Sequence, residues 1–436
     1  MSKKVVVIGG SAAGPKAAAR ARRLDQNAEV TIIQKSKDLS MASCGYPYYV
    51  GGVFDNRNSL LCTPTGVVRD PKFFLNAKGI VARTETEAVD IDRTRKTVTC
   101  RDCRGGDTDN VPYDKIIMAT GATPTLPPVP GADLKGITTL QSMEDADLLR
   151  KVRDEKKIRK AVIIGGGLIG METCEALQLA GIEITVIELL PQLLTFLDWE
   201  LAKIVESHVR SKSANVITGN GLAAFLGEDG VLSGVKLQNG TELPCELAVV
   251  AVGVKPNVEL ARKAGLTIGE LGGVSVNEQL QTSDPDIYAA GDCIEVTNRI
   301  TGKPVLAPYG DLANLQGRVA GGNAVGDNSE TFPGTVQTGI CKIFDYTAGS
   351  TGLSEKAARN CGYEDIETVV NVSPDKPMFM GAKPLISKMV VEKPSGRILG
   401  VQCIGPGDVA KQLALAAMAV QGKLTVGDCV NADLPY

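Results

Sequence analysis

The stretch AVIIGGGLIGMETCEALQLAGIEITVIE, Ala161 to Glu188, decides the fold. A continuous apolar run, Ala161 to Ile164, ends in Gly165-Gly166-Gly167-Leu168-Ile169-Gly170; a helical pattern runs on to Ala180, and a second run, Glu183 to Ile187, closes on Glu188. Strand, glycine turn, helix, strand is the unit that seats a dinucleotide pyrophosphate on a helix N-terminus, where free backbone N–H groups and the helix dipole favour anions. The spacing of Gly165, Gly167, Ile169 and Gly170, with a carboxylate at Glu188 to meet ribose hydroxyls, predicts an NAD site. Glu188 repels a 2'-phosphate and the following Leu189-Leu190 offers no arginine to receive one, so NADH is expected rather than NADPH.

The same grammar stands at the start of the chain. Lys4 to Ile8 leads into Gly9-Gly10-Ser11-Ala12-Ala13-Gly14, an alanine-rich helix through Leu24 and a strand from Val30 to Ile33. This copy departs from the ideal at Ser11, in the second glycine position, and at Gln34, in place of the ribose carboxylate. Two further segments, Ile116 to Ala122 and Thr282 to Asp292, each end a buried strand on glycine. Two nucleotide sites are written into one chain.

Composition agrees with this layout. A chain of 436 residues exceeds one hydrophobic core, and three domains are expected. Fifty acidic residues against 47 basic ones give a formal charge of -3, which leaves no global field for nucleic acid or an anionic membrane. With 43% hydrophobic residues, 48 glycines and 4% aromatics, the balance suits an α/β protein. The opening MSKKVVVIGG is too short an apolar run for a signal peptide, and no apolar stretch approaches membrane-spanning length. Eleven scattered cysteines read as reduced thiols in a cytoplasmic protein.

The GGxxxG turn of Gly9 to Gly14, the ATG of Ala119 to Gly121 and the TSxPxIYAxGD of Thr282 to Asp292, in that order, resemble the pyridine nucleotide-disulfide oxidoreductase family over essentially the whole chain. The resemblance implies an α/β fold with two Rossmann-like domains. FAD is expected in a discontinuous domain, 1–122 and 256–330, NAD in 123–255, and an α+β interface domain, 331–436, pairs two subunits into a homodimer. It assigns FAD to Gly9, Gly14, Gln34, Lys35, Ser43, Thr120 and Gly121, the flavin ribitol to Asp292 and the neighbourhood of the isoalloxazine to Leu312 and Ala313. Gly253 joins the nucleotide-binding set.

The segment Ser40-Met41-Ala42-Ser43-Cys44-Gly45-Tyr46-Pro47-Tyr48-Tyr49 selects a branch. Glutathione-reductase-like members keep a second redox cysteine five residues after the first, and here that position is Tyr49. Cys44 therefore works alone, as a mixed disulfide, persulfide or sulfenic acid. The surroundings resemble the single-cysteine branch of coenzyme A-disulfide reductases, NADH-dependent persulfide and polysulfide reductases, and NADH oxidases and peroxidases. The last group carries a histidine where this chain has Ala12, and the only histidine, His208, reads as a core or surface residue. Lys16, Arg20 and Arg23 on the first helix, with Ser40, Ser43 and Asn314, map onto the branch's coenzyme A contacts. Basic side chains suit phosphates, although the charge pattern alone fits a solvated helix face equally well. Asp433-Leu434-Pro435-Tyr436 matches the segment through which the partner subunit contributes a tyrosine, which makes Tyr436 the candidate proton donor to a departing thiolate. Pro377-Met378-Phe379-Met380-Gly381 stands where the family has YYPG.

These residues imply electron flow from NADH through FAD to Cys44 and on to coenzyme A disulfide, a persulfide or polysulfide. An NADH oxidase or peroxidase, and a flavin-dependent electron-transfer reductase for a small redox protein, are the alternatives. Cys100 and Cys103 form a CxxC, but the adjacent Gly105-Gly106 marks a hairpin tip and no second ligand pair lies nearby, so no metal is expected.

Overall fold

The computed structural model describes residues 2–434. The sequence duplication appears as two five-stranded parallel sheets laid out alike. In the first, Ile80–Arg83, Glu29–Ile33, Lys4–Ile8, Lys115–Met118 and Ile287–Ala289 lie side by side. In the second the order is Asn215–Thr218, Glu183–Glu188, Lys160–Ile164, Leu247–Val250 and Ile137–Thr138. The central strand of each, buried on both faces, is the apolar run that carries a glycine turn, as parallel sheets covered by helices require. Each half adds a three-stranded antiparallel sheet, 86–112 in the first and 222–244 in the second.

The two turns share one close approach. A Cβ on Gly14 would stand 1.9 Å from the Gly9 carbonyl oxygen, and one on Gly170 would stand 2.0 Å from that of Gly165. Only glycine lets each helix start against its strand. The helix Ala13–Leu24 is then crossed by Gly310–Val325, whose Gly317 and Gly321 ride directly on the backbone of Ala13 and Ala17.

The chain passes between the halves along two paired strands, Ala122–Pro124 and Val254–Pro256. A third five-stranded sheet, this one antiparallel, runs from Gly339 to Gly405, with the helix Val409–Gln421 against it. It is pinned to the second half by Lys388, a fully buried lysine whose Nζ lies 3.1 Å from Asp198, 2.5 Å from Glu200 and 2.9 Å from Glu355. Gln402 completes the knot, donating to Asp198 at 2.7 Å. Among the described residues no helix is long and apolar enough to cross a membrane.

Candidate active site

Of the eleven cysteines, only Cys44 and Cys103 are exposed. Cys103 sits at the tip between Thr97–Asp102 and Thr108–Pro112, a hairpin, while Cys100 is buried and its thiol is pushed up to about 11 by that burial. Burial likewise pushes Cys174 and Cys245 up to about 12, so both stay protonated at neutral pH. Cys44 is the one exposed thiol beside a nucleotide turn.

Cys44 lies in a single 3₁₀ turn, Ser43–Gly45, that runs into the helix Tyr46–Gly51, with Pro47 in its first turn. The approach is anchored on the first glycine turn: Ser40 takes a left-handed φ of 53° and its N–H donates to the Gly10 carbonyl at 2.7 Å. Ala42 N–H donates to the Leu60 carbonyl at 2.9 Å, which closes the other side. Position 49 is a buried tyrosine whose hydroxyl donates to Asp147 at 3.3 Å, so this site has structural work and carries no thiol.

The residues expected to meet ribose in the two halves are held alike. Gly10 N–H donates to Gln34 Oε1 and Gly166 N–H to Glu188 Oε2, each at 2.7 Å. Glu188 also accepts from Leu190 N–H at 2.8 Å, and Gln34 donates to Ser36 at 2.6 Å. Lys35 pairs with Glu87 at 2.8 Å. Gly167 caps the second helix, Ile169 is exposed beside it, and Gly253 sits at a left-handed φ of 109°. Thr120 Oγ1 donates to the Asn257 carbonyl at 2.7 Å, next to Gly121 at the crossing. Gly291 N–H donates to Gln316 at 2.7 Å, which fixes the neighbouring Asp292. That carboxyl is pushed up by burial and accepts no hydrogen bond among the described residues. Ala313, buried, and Leu312, half-buried, follow on the helix Gly310–Val325.

Lys16, Arg20 and Arg23 lie along one stretch of the first helix, but they differ. Lys16 and Arg23 are exposed and unpaired among the described residues, whereas Arg20 is held by Glu330 at 2.7 Å. Asn314 is exposed and donates back to the Gly310 carbonyl at 2.7 Å. Tyr436 lies outside the described residues. His208 stacks on Tyr346, ring centroids 3.8 Å apart, with Nε2 at 3.0 Å from Asp345; burial lowers its pKa.

One group at the site escaped the sequence reading. Glu172, in the first turns of the helix Leu168–Gln178, is pushed up to about 7 by burial and by Glu175. The half-buried Tyr48, four residues beyond Cys44, is pushed up by burial and by the nearby Glu172, Glu175, Cys341 and Cys44. A carboxylate inside the apolar Leu168 to Leu177 run was the available signal.

Residues 3–310 match the family described as pyridine nucleotide-disulphide oxidoreductase, and residues 338–436 match its dimerisation domain. The chain belongs to this family. It is thus an FAD-dependent oxidoreductase that uses a pyridine nucleotide. Among relatives, the NAD(P)H coenzyme A polysulfide/persulfide reductase of Pyrococcus horikoshii is 34% identical over 437 residues, covering 100% of this chain and 95% of that one. The NADH oxidase of Methanocaldococcus jannaschii is 30% identical, covering 99% and 94%. The solved NAD-dependent persulfide reductase from A. fulgidus shares 44% identity and superposes with a TM-score of 0.96 over 99% of this chain and 79% of that one. Family membership accounts for the duplicated fold and for the third sheet as the dimerisation domain.

Proposed function

We propose that this enzyme carries electrons from NADH through FAD to Cys44 and reduces coenzyme A disulfide, persulfide or polysulfide, as a homodimer paired through 338–436. The observation that carries the reading is the solitary exposed Cys44, with Tyr49 buried where a second thiol would stand. Cys44 forms the S–S bond to substrate sulfur, one thiolate leaves, and two electrons then break that bond to release the second thiol or hydrosulfide.

FAD, when bound, supplies two-electron transfer between nicotinamide and thiol. The residues present suit it. Gly9 and Gly14 open a helix N-terminus to a pyrophosphate, with Gln34 and Lys35 at the adenosine end and Ser43, Thr120 and Gly121 along the cleft. Asp292, half-buried and without a partner among the described residues, suits the ribityl hydroxyls, and Leu312 and Ala313 suit the ring. On the nucleotide side Gly165, Gly167, Ile169, Gly170 and Gly253 hold NADH, and Glu188 accepts its ribose hydroxyls and disfavours NADPH. Lys16, Arg23, Ser40 and Asn314 receive coenzyme A, and Arg20 joins them on exchanging Glu330 for a phosphate. Tyr436 of the partner subunit is the proton donor.

Cys44→Ser tests the reading. NADH-driven reduction of ferricyanide is expected to persist while coenzyme A disulfide reduction is lost; retained disulfide reduction sinks the assignment. An NADH oxidase is the second reading, favoured by the M. jannaschii relative. Intact mass without reductant separates the two: a coenzyme A-sized adduct on Cys44 supports the first, and an oxygenated Cys44 the second.

A further inference from the structure

Cys44 belongs to the flavin half by sequence, but the helix that follows it, Tyr46–Gly51, packs on the nucleotide half. Past Asp38 the chain makes an excursion that returns at Arg57. Leu39 at its start still joins the first core, but Tyr46, Tyr49 and Val50, buried farther on, pack with Met143, Leu149, Met171 and Cys174 of the second. The excursion is tied there by charge as well. Arg57 grips Asp38 with both terminal nitrogens, Nη2 to Oδ2 at 2.7 Å and Nη1 to Oδ1 at 3.2 Å, while its Nε donates to Asp147 Oδ2 at 2.9 Å. Asp147 lies on the helix Met143–Glu155 and also accepts from Tyr49. From the same helix Arg150 donates to the carbonyls of Tyr49 at 3.0 Å and Phe54 at 3.1 Å, where its charge meets the C-terminal end of the cysteine helix.

We infer that Arg57 is a positioning residue for Cys44: it joins the two ends of the cysteine-bearing excursion and fixes them to the helix Met143–Glu155 through Asp147. The inference rests on the proposed function, in which the thiol must meet the flavin at a set distance. A guanidinium presents donors in a planar fork and can serve two carboxylates at once, whereas an ammonium on a flexible stem cannot hold both with this geometry. Arg57 keeps its charge through hydrogen bonds to Asp38, which is itself nearly enclosed. The stem of the excursion is thereby closed, and Cys44, in the exposed turn, has its position set from behind.

The test uses FAD-loaded protein and two variants. Arg57→Lys keeps the charge on Asp38 and loses the fork; Asp147→Asn, at a half-exposed carboxylate, weakens the outer arm together with the Tyr49 bond to the same group and leaves the Asp38 arm intact. Both are expected to weaken the long-wavelength thiolate-to-flavin absorbance band of two-electron-reduced enzyme. Both are expected to lower kcat for coenzyme A disulfide, by about tenfold to 100-fold for Arg57→Lys as for a misplacement near 1 Å, with KM for NADH unmoved. Alkylation of Cys44 by iodoacetamide, followed by intact mass, is expected to speed up as the turn loosens. Wild-type band, kcat and alkylation rate in both variants overturn the inference. Failure of the proposed function is visible separately, as disulfide activity that survives Cys44→Ser, and the alkylation rate then still decides whether the clamp holds the thiol.

Discussion

Gln34 and Glu188 are structural counterparts: one directly follows and the other ends the second strand of its half, and each accepts, at 2.7 Å, the N–H of the second residue of its glycine turn. One is neutral and the other a carboxylate. Glu188→Gln therefore keeps the backbone bond that Gln34 makes and removes the charge. A hydrogen bond to a charged acceptor exceeds a neutral one by about 1 kcal/mol, so the preference for NADH over NADPH is expected to narrow by about fivefold. Steady-state kinetics with both nucleotides reads this, and an unchanged ratio removes Glu188 from cofactor selection.

Gly170→Ala is expected to block the nucleotide half alone. The added Cβ would stand 2.0 Å from the Gly165 oxygen, so the helix must draw away from the glycine turn that the proposed function gives to NADH. Flavin content, measured by absorbance, should stay at wild-type stoichiometry while KM for NADH rises by about 100-fold. Loss of flavin along with NADH binding would show that the two turns are not independent.

Glu172 gives stability a pH dependence whose sign follows from its burial. Its pKa rises from 4.5 to about 7 on folding, so the folded protein holds a proton the unfolded chain has released. The carboxyl costs nothing below the unfolded value, and stability falls as pH climbs through that window. Glu172→Gln is expected to raise stability by about 3 kcal/mol at pH 8 and to change little at pH 4.5. Thermal melts of variant and wild type that run parallel across this range count against the assignment.

Lys388→Met leaves Asp198, Glu200 and Glu355 facing one another at a closed junction. Breaking a buried ion pair from one side costs about 3–5 kcal/mol, which a urea titration resolves as a lower midpoint. Adding Asp198→Asn is expected to recover part of the loss, because it removes one of the stranded charges.

Legibility followed distance along the chain. The glycine turns, Glu188 and the hairpin around Cys103 depend on residues within about one supersecondary unit, and local pattern reports such units well. Cys44 was legible through its neighbours and through what position 49 lacks. Its supports were not. Arg57 and Asp147 are 90 positions apart, and Arg20 meets Glu330 across 310, so a basic residue that read as a free phosphate ligand proves to be already paired. Glu172 looked like any polar residue on a helix because only the tertiary fold, which also brings Tyr48 and Cys341 near it, gives it a dry setting.

The first sheet takes its outermost strand, Ile287–Ala289, from beyond the whole second half, and Gln316, which orders the loop at Asp292, comes later still. A ribosome thus completes the nucleotide half while the flavin half still lacks an edge and one wall. The half that opens the chain is the one that closes last, and a nascent chain has no finished place for the flavin until the long helix Gly310–Val325 has emerged.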